Sequence, residues 1–315
     1  MRTRPERSRA QDAWTALWRD PQSRLACIGG APEIAAALRA RWAAFAATLP
    51  PCGGSSGGGG SSGGGNSSSS SNSSGPIRVL DLGCGVGAAS GALLAARGGR
   101  DLALTGIDFA DVPAPRDVAL TLIPGTPMES MPFAPASFDA AISQFGFEYS
   151  RTHKTAHRLA RVLAPAARFA FVVHHAQSSV VATNRARLNA ILAALAPAMR
   201  DAFLAGQAFA LDAKLQALRL GHPGDALVDE LARILPLRAR AADASARAAA
   251  WHALEASLSP ELTILEAMDS CCVAPAELEG WLGPLRQLGA VAAVSVLRKA
   301  DGAPIAWCIE GRRSA

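Results

Sequence analysis

A bare glycine turn between a predicted strand and a predicted helix constrains the fold of this chain more than any other feature. Residues 78–99 read RVLDLGCGVGAASGALLAARGG, in which an apolar stretch containing Asp81 leads to Gly83, Gly85 and Gly87 and then to an alanine- and leucine-rich segment. Glycines permit positive φ and carry no Cβ atom, so a ligand can approach such a backbone closely. The pattern predicts a strand, a ligand-binding turn and a helix in succession.

The segments that follow alternate between the two types of secondary structure. We predict strands over 77–83, 101–109, 117–123, 137–145 and 168–175, and helices over 87–98 and 152–165. This alternation is typical of right-handed crossovers and a parallel sheet. The region from about 178 to 270 is helical and too long for a simple crossover, so we predict an inserted helical layer. A last crossover helix over 275–289 and an antiparallel hairpin over 291–312 complete the pattern.

The sequence of the N-terminal part predicts two helices within residues 11–49, which are separated at the segment IGGAP. In the second helix, apolar residues recur at helical spacing and predict one buried stripe, formed by Ile34, Leu38, Trp42, Phe45 and Leu49. Residues 53–75 contain only Gly, Ser and Asn, a composition typical of a disordered linker. We therefore divide the chain into an N-terminal helical lid segment (1–52), a linker (53–75) and a main domain (76–315) with a helical insertion over about 178–270.

Composition and charge exclude several classes of protein. The net charge is +5 and the arginines are scattered, which argues against nucleic acid as a partner. No apolar run approaches the ~18 residues that span a bilayer, and the first residues lack the apolar core of a secretory signal. Six cysteines form no CxxC pair and predict reduced thiols in a cytoplasmic protein. They are Cys27, Cys52, Cys84, Cys271, Cys272 and Cys308.

The spacing of the glycines narrows the choice of ligand. Dinucleotide-binding turns follow GxGxxG, whereas this turn reads DLGCGVG, an acidic residue followed by GxGxG. Asp81 would repel a pyrophosphate but would attract a ligand that carries an ammonium group and no phosphate. Asp108 ends the next predicted strand. Its carboxylate can accept hydrogen bonds from both hydroxyls of a ribose, a group that any adenosine-type cofactor contains.

Taken together, four segments resemble the class I S-adenosylmethionine-dependent methyltransferases, most closely the group called methyltransferase type 11. They are VLDLGCGVG, LTGIDF, MESMPFAPASFDAAISQFG and RLARVLAP, within residues 77–175, and the hairpin over 291–311 fits more loosely. The resemblance implies a Rossmann-like three-layer α/β/α sandwich. Its seven-stranded sheet would be mostly parallel, with one reversed strand.

The same resemblance implies a set of cofactor-binding residues. Gly83, Gly85 and Gly87 would line the methionine and ribose part of S-adenosylmethionine, with Asp81 near its amino group and Asp108 on the ribose. The others implied are Phe109 on the adenine, Met128 and Glu129 at the adenine edge, and Gln144 facing the methionine part and the substrate. Many relatives carry Asp where this chain has Thr126 or Pro127, which leaves the adenine contact to Glu129 or to backbone groups. The Gly-Gly usual before the fifth strand is replaced by Ala166-Ala167.

Four residues after the fourth and fifth strands are candidates for catalysis: His174, His175, Glu148 and Tyr149. Adjacent residues on a strand point to opposite faces, so at most one of the two histidines can reach the pocket. The alternative for each histidine is a purely structural role. The alternative for Glu148 and Tyr149 is a position in the solvent-exposed first turn of a helix.

Motifs for other chemistries are missing from the sequence. The segment SQFGFEYS contains no Asn/Asp-Pro-Pro-Tyr/Phe motif, no Pro-Cys nucleophile and no acidic pair for a metal, which argues against methylation of bases and metal-assisted O-methylation. His153 and His157 form an HxxxH without the glutamate of a zinc protease, so no metal site is predicted.

We therefore predict an enzyme that transfers a methyl group from S-adenosylmethionine to O, N or C of a small organic acceptor. The transfer is an in-line displacement, in which the protein mainly positions the acceptor. The N-terminal helices and the insertion would roof the cleft and exclude water. Two alternatives stay open: a protein or RNA methyltransferase, and a protein that binds S-adenosylmethionine without transferring its methyl group.

Overall fold

The computed structural model describes residues 8–20, 31–50, 75–99 and 101–314. The predicted linker over 53–75, apart from Gly75, and two of the cysteines, Cys27 and Cys52, lie outside these residues. The helices are α1 (Arg9–Arg19), α2 (Pro32–Thr48), α3 (Ala88–Arg97), α4 (Thr152–Val162), α5 (Ser179–Ala194), α6 (Pro197–Leu204), α7 (Ala208–Gly221), α8 (Ala226–Ala241), α9 (Ala244–Cys271) and α10 (Leu278–Leu288). The strands are β1 (Ile77–Leu82), β2 (Leu102–Ile107), β3 (Leu120–Ile123), β4 (Phe138–Gln144), β5 (Leu163–His174), β6 (Gly289–Arg298) and β7 (Pro304–Arg313).

The strands form one seven-stranded sheet in the order β3-β2-β1-β4-β5-β7-β6. The pairs among β1 to β5 are parallel, whereas β7 runs antiparallel to both β5 and β6. The prediction of a mostly parallel sheet with one reversed strand is confirmed, and the closing hairpin supplies that strand. The carboxyl ends of β1, β2, β4 and β5 therefore meet at one edge of the sheet.

Helices cover both faces of the sheet, and alternate residues of each strand pack on opposite sides. Phe169 and Phe171 of β5 pack toward α4 and α10, whereas Val172 packs toward α2 and α3. The stripe predicted for the second helix is buried in this second layer, with Trp42 fully covered. Helix α2 is thus part of the sandwich and does not roof the cleft, because its apolar stripe has the sheet as its partner.

The boundary between α4 and β5 differs from the prediction. The sequence predicts a helix to residue 165, but α4 ends at Val162 and β5 begins at Leu163, which pairs with Phe138 of β4. Ala166 has φ 61°, at the position where relatives carry glycine. Pairing with β4 extends a strand into residues whose local composition favours a helix, since tertiary contacts override helix propensity.

Five helices, α5 to α9, occupy the region where the sequence predicts a helical insertion. They enclose a core of their own, in which Phe203 and Trp251 are almost completely buried. Helix α9 also packs against α1 and against the turn at 147–149 that follows β4. No helix in the described ranges is long and apolar enough to cross a membrane.

Candidate active site

The glycine turn at residues 83–87 joins β1 to α3 in a conformation that requires glycine. Gly83, Gly85 and Gly87 have φ angles of +63°, +49° and +81°, in the left-handed region. A Cβ atom on Gly83 would lie 2.9 Å from the Cα atom of Gly146, in the loop after β4. The turn is therefore held close to the end of the neighbouring strand.

Asp81, near the end of β1, is a carboxylate buried behind the glycine turn. Its Oδ2 atom accepts a hydrogen bond from the hydroxyl of Ser90 at 2.6 Å, and its Oδ1 atom has no partner within the described part of the chain. Burial raises the pKa of Asp81 to about 7, although the Ser90 hydrogen bond lowers it and the charge of Asp108 raises it further. An ammonium group next to Oδ1 would stabilise the ionised carboxylate against the effect of burial.

Asp108, which follows β2, is held by backbone groups. Its Oδ2 atom accepts from the N–H of Gly85, and its Oδ1 atom from the N–H of Ala110, both at 2.8 Å. Burial raises the pKa of this carboxylate to about 6, against the lowering effect of the two hydrogen bonds. The acid thus ties the glycine turn to the end of β2 and still has lone pairs for a ligand.

A cavity of about 340 Å³ opens at this edge of the sheet. The predicted site residues that line it are Gly83, Asp108, Phe109, Met128, Glu129 and Tyr149. Residues that the sequence analysis did not select also line it, among them Trp14, Trp18, Pro127 and Phe145. Most of the lining is aromatic or apolar, as is usual in small-molecule sites.

Helix α1 forms the roof of this cavity. The ring of Trp18 lies over the glycine turn, so close that a Cβ atom on Gly85 would be 2.6 Å from it. Trp14 packs edge-on against Tyr149, with 5.1 Å between ring centroids. The spacing of four residues, which places both tryptophans on one face of a helix, is the sequence signal that could have identified them.

Polar contacts tie α1 to the loop after β2. The side-chain amide of Gln11 donates to the carbonyl oxygen of Phe109 at 2.9 Å, and the hydroxyl of Thr15 accepts from the N–H of Asp111 at 3.0 Å. Arg19 adds an ion pair with Asp111 at 3.0 Å. These contacts hold the roof on the segment that also carries Asp108.

Glu148 and His174 form a buried pair beside the cavity. The Oε1 atom of Glu148 lies 2.7 Å from Nδ1 of His174 and accepts the backbone N–H of His174 at 2.9 Å. The imidazole packs against the ring of Phe145, with 4.4 Å between centroids, and against Tyr149 at 5.9 Å. The structure therefore brings three of the four catalytic candidates together.

The fourth candidate, His175, lies elsewhere. Its side chain points to the other face of β5 and stacks on Trp307 at 4.5 Å, while its Nδ1 atom accepts from the N–H of Gln177. Burial, together with the charge of Arg298, lowers the pKa of His175. Neither histidine is among the residues that line the cavity, but His174 packs against two that are, Phe145 and Tyr149.

Four of the predicted cofactor residues do not line the cavity: Asp81, Gly85, Gly87 and Gln144. Gln144 does not line the cavity, because its Oε1 atom accepts the indole N–H of Trp42 at 2.7 Å on the α2 side of the sheet. Gly87 faces Leu120 of β3 and begins α3, so it shapes the turn without lining the cavity. The contact of Gln144 with the methionine part of the cofactor therefore stays a prediction.

A second, open groove of about 820 Å³ lies beside the cavity. It is lined by Glu129, Arg151, His153, Lys154, His157 and Arg158. The carboxylate of Glu129, which lines both spaces, accepts the backbone N–H of Arg151 at 2.6 Å. We call this space the basic groove, since helix α4 contributes no acidic residue to it.

Within the residues that the structure describes, no group of three or more His, Cys, Asp or Glu side chains lies close enough to hold a metal ion. His153 and His157 share the basic groove with cationic neighbours.

Residues 80–171 match a family model described as a methyltransferase domain. The match begins in β1, ends in β5 and includes the glycine turn, Asp81 and Asp108. This region is similar to the methyltransferase domains of that family, as the resemblance in the sequence implies. Among curated proteins, none matches the sequence.

Several solved structures are similar to parts of this chain. An S-adenosylmethionine-dependent methyltransferase from Mesorhizobium loti is 22% identical over 32% of this chain and 48% of its own, with a TM-score of 0.27. An arsenic(III) S-adenosylmethionine methyltransferase from Chlamydomonas reinhardtii is 25% identical. The match covers 31% of this chain and 39% of that protein, with a TM-score of 0.27. The chain thus spans less than half of either protein.

A third structure aligns over nearly the whole chain. It is the 1,6-didemethyltoxoflavin-N1-methyltransferase of Burkholderia thailandensis, with bound 1,6-didemethyltoxoflavin and S-adenosylhomocysteine. It is 12% identical over 99% of this chain and 93% of its own, with a TM-score of 0.43.

The residues present fit S-adenosylmethionine, the cofactor that the family resemblance implies. The unpaired Oδ1 atom of Asp81 suits an ammonium group, and the remaining lone pairs of Asp108 suit ribose hydroxyls. Gly83 of the glycine turn lines the cavity, where a ligand can approach its backbone.

Proposed function

We propose that this protein transfers the methyl group of S-adenosylmethionine to a small organic acceptor inside the roofed cavity. The observation that carries the proposal is helix α1, whose Trp14 and Trp18 cover part of the cavity beside the glycine turn. A cavity of about 340 Å³ is near the lower end of the range for small-molecule sites, roughly 300–1,000 Å³. An acceptor of macromolecular size would have to displace α1 to reach it.

The proposed cofactor contacts follow from burial and charge. Asp81 pairs with the ammonium group, and Asp108 accepts from the ribose hydroxyls while it holds Gly85 in place. Phe109, which is 37% exposed, and the buried Met128 offer the two sides of an apolar slot for the adenine. Glu129 is at the edge of that slot, with one carboxylate oxygen engaged by a backbone N–H.

The chain contributes mainly position and environment to the reaction. When bound, S-adenosylmethionine supplies an electrophilic methyl group on a sulfonium. The aromatic rings of Trp14, Phe145 and Tyr149 can hold a flat acceptor in one orientation, and their faces favour a nearby cation. Trp14 and Trp18 reduce the access of water, which competes for contacts with the acceptor.

Calorimetric titration with S-adenosylmethionine and S-adenosylhomocysteine tests the proposal first. We expect binding that Asp108→Ala weakens about tenfold or more, equivalent to about 1.4 kcal/mol, whereas Asp201→Ala, an exposed change on α6, leaves it unchanged. An acceptor screen that detects S-adenosylhomocysteine release then separates an enzyme from a protein that only binds the cofactor. Absence of binding by well-folded protein would refute the proposal.

The basic groove favours one alternative, a macromolecular acceptor that carries anionic groups. It lies next to the cavity through Glu129, and no ion pair of Arg151 or Lys154 occurs in the described part of the chain. The affinity for an RNA acceptor would fall steeply as the salt concentration rises. In a plot of the logarithm of the binding constant against the logarithm of the salt concentration, each phosphate contact adds about one to the negative slope. Lys154→Glu should then weaken RNA binding; a flat salt dependence would exclude this alternative.

A further inference from the structure

Glu148 and His174 lie together because of the sheet topology. Glu148 is in the short turn that follows β4, His174 is the last residue of β5, and these two strands are parallel neighbours. Both side chains are at most 1% exposed. A carboxylate and an imidazole are therefore held side by side at the edge of the sheet where the cofactor site lies.

The geometry of the pair defines the state of the imidazole. The Oε1 atom of Glu148 accepts the backbone N–H of His174 and lies 2.7 Å from Nδ1. An ionised carboxylate can only accept, so Nδ1 carries a hydrogen and the lone pair of the neutral ring is on Nε2. This is the arrangement in which a carboxylate orients a histidine that takes up protons.

Two atoms of this pair lack partners. Nε2 of His174 and Oε2 of Glu148 have no hydrogen-bond partner among the described residues, although both are buried. Leaving such atoms unpaired costs stability, so native structures seldom do so without a functional reason. The rings packed against the imidazole belong to Phe145 and Tyr149, and both of these residues line the cavity.

We propose that Nε2 of His174 accepts the proton which the methyl acceptor loses, and that Glu148 is a positioning residue that holds the imidazole for this task. The inference rests on the proposed function and specifies its substrate class: the acceptor is a weakly acidic O–H or N–H compound that enters between the rings of Phe145 and Tyr149.

The reaction then balances without any further reactant. The oxygen or nitrogen of the acceptor forms a bond to the methyl carbon, and the sulfur–carbon bond breaks with its electron pair passing to sulfur. The proton of the acceptor goes to Nε2, and the carboxylate of Glu148 stabilises the resulting imidazolium. A base positioned in this way is worth about 10²–10⁴ in rate.

Two other titratable groups face the pair. The hydroxyl of Tyr149 interacts with the thiol of Cys271, which α9 brings against the turn that carries Glu148. Burial, and then the charge of Glu148, raise the pKa of the Cys271 thiol well above its usual range. The thiol therefore stays protonated at neutral pH and does not accept a proton from the methyl acceptor.

Sinefungin tests the proposal without a known acceptor, because it carries an amine where S-adenosylmethionine carries the transferred methyl group. We compare its affinity with that of S-adenosylhomocysteine in the wild type and in two variants, Glu148→Gln and His174→Asn. The wild type should prefer sinefungin, and each variant should lose at least fivefold of that preference. Asp201→Asn, on the exposed surface of α6, serves as the matched control.

The pH dependence distinguishes a proton acceptor from a structural role. The preference of the wild type for sinefungin should depend on pH, whereas the preference of His174→Asn should not. An affinity ratio that is the same in wild type and both variants would overturn the inference. S-adenosylhomocysteine binding reports separately on the proposed function and on folding, because a variant that still binds it retains the cofactor site.

Discussion

Replacing Asp81 with asparagine should stabilise the ligand-free protein at neutral pH and have little effect in acid. The carboxylate is buried, and its pKa is about 7 in the folded protein, against an ordinary value of 3.8 when the chain is unfolded. Between these values the folded protein holds a proton that the unfolded chain releases. The free energy of unfolding of the wild type therefore falls as the pH rises from about 4 to about 7.

The size of this effect follows from the two pKa values. One pKa unit corresponds to about 1.36 kcal/mol, so Asp81 destabilises the folded state by roughly 1.7 kcal/mol at about pH 5 and by roughly 4.3 kcal/mol at about pH 8. Asparagine does not titrate and can still accept from Ser90. The advantage of the variant should therefore grow by about 2–3 kcal/mol across this pH range.

Urea unfolding at several pH values, without cofactor, measures this difference. Asp139→Asn is the matched control with the opposite sign, because its hydrogen bonds from Arg78 outweigh its desolvation and lower the pKa of Asp139. The stability contribution of Asp139 is present above its unfolded pKa and is lost as the pH falls. A constant difference between Asp81→Asn and wild type from pH 5 to pH 8 would show that burial does not shift the ionisation of Asp81, and the electrostatic reasoning would be refuted.

Three further predictions concern the same region. Binding of S-adenosylmethionine below about pH 7 should release a proton from Asp81, because the ammonium favours its ionised form; calorimetry in buffers of different ionisation enthalpy would detect it, and equal heats would contradict it. Gly85→Ala should destabilise the protein more than Gly98→Ala, because both have positive φ but only the first would clash with Trp18; equal shifts in Tm would argue against the packed roof. Shortening the tract over 53–75 to about eight residues should leave Tm within error, since loop closure depends only weakly on length; a fall of many degrees would contradict this.

The sequence by itself determined the features that depend on local pattern. Alternating apolar strands and helices specified a largely parallel sheet, and the alternate glycines marked the turn, because positive φ without a Cβ atom is a property of the residue itself. The stripe containing Trp42 marked the buried face of α2 for the same reason, since helical spacing decides which side chains share a face. The reversed strand came from the family resemblance, and the pairing of β7 with β5 and β6 confirms it.

Only the tertiary structure decided what each side chain meets at the site. Trp18 covers the glycine turn from a helix more than sixty positions earlier in the chain, and Gln144 turns to Trp42 because the strand alternation places it on the α2 side. Glu148 and His174 pair because β4 and β5 are neighbours, although they are 26 positions apart. Contacts of this kind depend on how elements pack in space, and the periodicity of one segment carries no information about its partner.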